Sequence, residues 1–171
     1  MASLYLIGNG AMQTTAAFVK VTTGTSIKTM LQLKPFNTCK IVEWGISFDG
    51  SAAATPIACE LIDTGTVFGT VTASADADCT KLSSVEDAVA SVAGLTMGTS
   101  ATGYTCTSEG SITAVRMFDA QIITPSTTGG LQYVKQFPLG REPKLIIGNA
   151  ARIRVTSNVA CNAYAYMILD I

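Results

Sequence analysis

The sequence predicts an all-β fold, a jelly-roll-like antiparallel β-sandwich with one short helix and an N-terminal arm. Three observations carry this expectation. Apolar and polar residues alternate in short runs, most cleanly from Lys40 to Asp49. β-Branched and aromatic residues, which favour extended backbone, are concentrated in those runs. Turn pairs such as Asp49-Gly50, Gly129-Gly130 and Gly148-Asn149 separate them. A chain of 171 residues fits one domain, expected over residues 15–171.

Residues 1–14 are uncharged, weakly periodic and contain Gly8-Asn9-Gly10, a pattern that reads as an arm ordering against a neighbour or as a frayed end. Strands are expected at Thr15 to Val21 and Ile27 to Leu33. From Lys40 to Asp49, Val42, Trp44, Ile46 and Phe48 point one way, so one face is buried. Asp49-Gly50 then turns the chain and Pro56 opens a strand carrying Ile57, Cys59 and Leu61, which is expected to pair with its predecessor as a hairpin. Val67 to Thr72 reads as another strand. Between Ser83 and Ala93, Val85, Val89 and Val92 recur at helical spacing. Ser83 with Glu86 resembles a capping box, and Gly94 ends the segment. Ser111 to Ile123, Leu131 to Phe137, Ala151 to Thr156 and Cys161 to Leu169 complete the strands.

Composition narrows the chemistry. Charged residues are 13% of the chain, against about 25% in ordinary soluble domains, and the formal net charge is −1. No strong attraction to nucleic acid or to an anionic membrane is expected from that balance. The long uncharged stretches are interrupted by Thr, Ser, Asn and Gly, so no transmembrane span is expected. The start lacks a basic secretion-signal region, which points to synthesis in the cytoplasm without export.

The chain has no histidine, which excludes Ser-His and Cys-His catalysis and disfavours imidazole-ligated metal centres. Five cysteines with no C-x-x-C pair read as reduced core residues. Asp76-Ala77-Asp78 lacks the remaining ligands of an EF-hand loop, and Gly8-Asn9-Gly10 lacks the context of a phosphate-binding loop. Neither an enzyme activity nor a cofactor is expected.

Binding features remain. Arg152 and Arg154 project from the same strand face, with Arg141 and Lys144 nearby in sequence. They form either a small basic patch or a solvated sheet face. Tyr133, Tyr164 and Tyr166 can serve as a stacking platform or as packing residues. Uncharged strands from Ala120 to Val134 and Val155 to Leu169, on a nearly neutral chain, point to self-association into a small symmetric oligomer.

Three blocks carry a resemblance: Thr22-Thr23-Gly24-Thr25-Ser26-Ile27-Lys28-Thr29-Met30-Leu31-Gln32, Val42-Glu43-Trp44-Gly45-Ile46-Ser47-Phe48-Asp49-Gly50-Ser51-Ala52-Ala53-Ala54, and Tyr133-Val134-Lys135-Gln136-Phe137-Pro138-Leu139-Gly140-Arg141-Glu142-Pro143. With Arg152-Ile153-Arg154-Val155-Thr156 and Val159 to Tyr166, the chain from Val21 onward resembles a family of small virion proteins of tailed bacteriophages, particularly those of actinobacteria. The resemblance implies a head decoration, or cement, protein with a β-sandwich body. It would be a trimer or other small cyclic oligomer on the outer surface of the capsid, bridging major capsid protein subunits. On this reading Leu4, Tyr5, Leu6 and Ile7 of the arm, and Arg141 and Glu142 of the turn, join Arg152 and Arg154 as candidate interface residues. A glycan- or receptor-binding fibre module and a self-assembling coat protein are the competing readings.

Overall fold

The computed structural model describes residues 3–50, 55–82, 88–111, 113–128 and 130–171. Their strands are β1 (Leu4–Gly8), β2 (Val21–Thr22), β3 (Ile27–Leu33), β4 (Cys39–Phe48), β5 (Ile57–Asp63), β6 (Thr70–Ala73), β7 (Cys79–Lys81), β8 (Gly103–Ser108), β9 (Arg116–Ile123), β10 (Leu131–Gln136), β11 (Lys144–Leu145), β12 (Ala151–Thr156) and β13 (Asn162–Asp170). They form two antiparallel sheets packed as a sandwich, with one short helix, α1 (Ala90–Ala93). The seven-stranded sheet runs β10-β4-β13-β1-β7, with β11 also on β4 and β2 also on β13. The six-stranded sheet runs β6-β8-β3-β12-β5-β9.

Alternation explains which face each strand buries. In β12, Ala151, Ile153 and Val155 enter the core and are fully buried, opposite Leu33 and Leu31 of β3 and Asp63, Leu61 and Cys59 of β5. In β13, Ala163, Ala165, Met167 and Leu169 do the same from the facing sheet. Trp44, Tyr5, Ile7 and Ile46 fill the space between the two layers. Burying a side chain of this size contributes about 1.5–3 kcal/mol, so the closed core is the main source of stability.

Several expectations need correction. Leu4–Gly8 is not an arm: β1 lies between β13 and β7, pairing Leu4 with Asp170 through Gly8 with Tyr166. Its inward residues, Tyr5 and Ile7, have no exposure. The hairpin between β4 and β5 does not form. β4 pairs with β10, β11 and β13, whereas β5 pairs with β12 and β9 in the other sheet. Each apolar row therefore meets the other across the core. Within β4, the register against β13 shifts between Ile168 and Leu169, which passes over Val42 and buries Ile41 in its place. Such a shift marks a bulge, where one strand carries an extra residue.

Helix α1 covers only Ala90–Ala93, with Gly94 as its C-cap and no side-chain cap at Val89. The expected capping residues Ser83 and Glu86 lie outside the described residues. Of Thr15 to Val21, only Val21 is in a strand, while residues 9–20 run over the outside of the seven-stranded sheet. All five cysteines are free thiols in the interior. Burial pushes Cys39, Cys59 and Cys79 up to about 12, so these thiols stay protonated and inert near neutrality.

Candidate interaction surface

The candidate residues from sequence fall into different environments. In β1 only Leu4 and Leu6 face outward, each partly exposed. Tyr5 and Ile7 point into the core, and the Tyr5 hydroxyl donates to the Ala88 carbonyl at 2.6 Å. A contact surface on this strand therefore has to use its outward pair.

Arg152 and Arg154 do share the outer face of the six-stranded sheet, but neither forms an accessible basic patch. The chain after β5 and the segment after β8 fold over that face. Arg152 Nη2 donates to the Val67 carbonyl at 2.8 Å, and Nη1 donates to the Glu109 carbonyl at 3.0 Å and lies 3.5 Å from its carboxylate. Glu109 also accepts from the backbone N–H and the hydroxyl of Thr29. Beside this group, Gln32 exchanges hydrogen bonds with the Gly69 backbone, accepting its N–H at 2.8 Å. Arg154 donates to Glu60 at 2.7 Å and is 8% exposed. Burial lowers the pKa of Arg152, and the Glu109 carboxylate opposes that shift. Arg152 clamps an outer layer of loop onto the sheet, and Arg154 ties β12 to its neighbour β5.

The turn between β10 and β11 is closed by its own backbone. Arg141 N–H donates to the Pro138 carbonyl at 2.9 Å, and Gly140 adopts φ 81°, the left-handed conformation that favours glycine. Backbone N–H groups of Glu142 and Gly140 hold the Glu142 carboxyl below its usual range. Glu142 is folded inward, while Arg141 and Leu139 remain exposed.

A more coherent surface lies where both sheets end. On one side of the sandwich the free edges are β10 and β9, and Asp119 joins them. Its Oδ2 accepts from Trp44 Nε1 at 3.1 Å and from the Tyr133 hydroxyl at 2.7 Å. The Tyr133 ring packs against Trp44 at 5.4 Å. The neighbouring carboxylate Asp63 is fully buried and is held by Arg116 at 2.6 Å and by Asn149.

On this braced edge, apolar side chains face solvent. Met117 and Ile122 of β9 are 63% and 77% exposed, and Val115 and Ile147 are 63% and 64% exposed. Val115 is anchored by its N–H to the Asp63 backbone carbonyl, and the Ile146-Ile147 pair precedes Asn149, which donates to the side-chain carboxylate of the same residue. Sequence reasoning missed Val115, Met117, Ile146 and Ile147. The available signal was an uncharged apolar pair directly before the Gly148-Asn149 turn, where a soluble loop normally carries polar residues.

The carboxylates of Asp63, Glu60, Glu109 and Asp119 accept from structural donors, and each ties one strand or loop to another. No helix among the described residues is long and apolar enough to cross a membrane. Comparison with protein-family models, with curated proteins and with solved structures finds no match to this chain.

Proposed function

We propose that this chain is a capsid decoration, or cement, protein of a tailed bacteriophage, which binds the outer surface of the head and bridges major capsid subunits. The observation that carries the reading is the apolar edge formed by Val115, Met117 and Ile122 beside Ile146 and Ile147 on a nearly neutral body. Exposed apolar groups along a free sheet edge favour docking to another protein. The Asp119 brace between the two sheet edges and the arginine-clamped outer layer support a rigid body, which loses little conformational freedom on docking.

The mechanism is mechanical. A homotrimer places several contacts in one rigid unit, so each later contact forms at high effective concentration and modest individual affinities add up to durable attachment. Bridging binds the assembled shell and not its separated subunits, so it stabilises the shell by ordinary linkage. The test compares heat-induced genome release from otherwise identical particles with and without this protein. Release at a higher temperature with the protein present supports cementing, and equal temperatures reject it.

A further inference from the structure

We propose that the outer face of the seven-stranded sheet carries a binding site for a neutral oligosaccharide, built on Phe18, Tyr164 and Tyr166. This inference is independent of the docking edge, which lies on β9 and β10, and it adds a second binding activity to the molecule.

Tyr164 and Tyr166 project outward from β13, where their strand neighbours leave room for the rings to lie down. Tyr166 is paired with Gly45 on one side and Gly8 on the other. A Cβ on Gly45 would collide with the Tyr166 ring, and one on Gly8 would sit 2.8 Å from the Tyr164 hydroxyl oxygen. The two tyrosine rings are stacked at 6.1 Å with 25° between their planes. Phe18, carried by the chain that follows β1, packs on Tyr164 at 4.8 Å and is 59% exposed. Two glycines thus convert part of a sheet surface into a row of three rings.

Depressions flank the Phe18–Tyr164 pair. One, of about 160 Å³, is bordered by Leu6, Gln13, Asp78 and Thr80. The other, of about 100 Å³, is bordered by Lys20, Ser47, Asp49 and Asn162. Each combines an aromatic wall with hydroxyl, amide or carboxylate groups. That pairing matches a sugar ring, whose C–H face packs on an aromatic surface while its hydroxyls lie at the rim. Two shallow depressions sharing one aromatic wall offer rim contacts to consecutive units of a chain laid across the rings.

Charge selects within this class. Glu43, Asp49 and Asp78 surround the rings, and the Lys20 ammonium is engaged by Asp49 at 2.8 Å. Glu43 accepts the Tyr166 hydroxyl at 2.6 Å, which fixes that ring. An anionic sugar meets net negative charge here, whereas a neutral one meets hydrogen-bond partners.

The test is a nuclear magnetic resonance titration of the full-length ¹⁵N-labelled chain with cellohexaose, maltohexaose and chitohexaose, and with oligogalacturonate as the anionic arm. At least one neutral hexasaccharide is expected to shift the amides of Phe18 and of residues 162–166, and oligogalacturonate is expected to leave them in place. Phe18→Ala should weaken binding about tenfold, the scale of a lost ring contact, with the remaining spectrum unchanged. Asn162→Ala should weaken it at the second depression. The proposal is overturned by the absence of shifts with every neutral sugar at millimolar concentration, by stronger binding of oligogalacturonate, or by binding that Phe18→Ala leaves unweakened. It is also overturned if these amides shift with protein concentration alone and Phe18→Ala abolishes that shift, which would make the face a contact between copies.

Discussion

The Tyr133 hydroxyl donates to Asp119 across 2.7 Å, and through this bond the free edge of one sheet holds the free edge of the other. Asp119 accepts a second bond from Trp44, the only tryptophan in the chain. Burial, and then the Asp119 contact, pushes Tyr133 up to about 12, so the donor keeps its proton throughout the neutral range.

Tyr133→Phe removes one bond and is expected to cost about 1 kcal/mol. Asp119→Ala strands both donors and should cost about 2–4 kcal/mol, toward the lower part of the range for two unsatisfied groups at about 1–3 each because both bonds are only partly buried. Urea unfolding followed by the emission of Trp44 measures both. Equal losses for the two variants would contradict a shared acceptor.

Arg152 is fully buried against Glu109, whose side chain is 16% exposed. Arg152→Met therefore leaves the Val67 and Glu109 carbonyls without their donor and the Glu109 carboxylate without its counter-charge, held by Thr29. A loss of about 3 kcal/mol is expected, at the low end for a broken buried pair because Glu109 retains some contact with water. In the double variant with Glu109→Gln the loss should fall short of the sum of the single losses, as coupled neighbours require. Additive losses would mean that the two residues act separately.

Alkaline pH should unfold the chain steeply. Cys39, Cys59 and Cys79 titrate at about 12 when folded and near the ordinary thiol value of 9.0 when unfolded, so the unfolded chain releases its thiol protons first. The stability these thiols contribute is fully present below pH 9.0 and is lost as pH rises toward about 12. Three such groups give a slope of about 4 kcal/mol per pH unit between those limits. Cys59→Ala should reduce the slope by about a third in stability curves measured across that range, and an unchanged slope would refute the assignment.

Charge on the apolar edge should block association without harming the fold. Met117→Lys with Ile122→Lys places ammonium groups on a free strand edge, a known deterrent to edge pairing. Sedimentation should show the oligomer that the proposed function requires reduced to monomer, with stability changed by no more than about 0.5 kcal/mol per site because both residues are solvent-facing. An oligomer that persists in this variant would place the contact between copies elsewhere and leave the edge for the shell alone.

Strands with clean local patterns were legible from sequence. Ile27–Leu33 and Ala151–Thr156 have the expected bounds, because β-branched and long apolar residues alternate there and turn residues close both ends. Leu4–Gly8 was obscured because its outward residues, Leu4 and Leu6, are as apolar as its inward ones, leaving no alternation to read. Pairing across the sandwich was also hidden. Arg152 meets Glu109 from 43 residues away and Arg154 meets Glu60 from 94 away, so two arginines that read as a surface patch are neutralised by partners without a local sequence signal. The aromatic row depends on Gly8 and Gly45 lying beside β13, which only the tertiary pairing reveals.

Attachment to the head underlies the proposed function, and imaging purified particles of the phage that this proposal requires, at residue resolution, probes it without intermediaries. Regular copies of this sandwich are expected on the outer capsid surface, with the Met117–Ile122 edge in contact with a major capsid subunit or a sister copy. Density for the chain in the tail alone, or none on the head, would refute attachment.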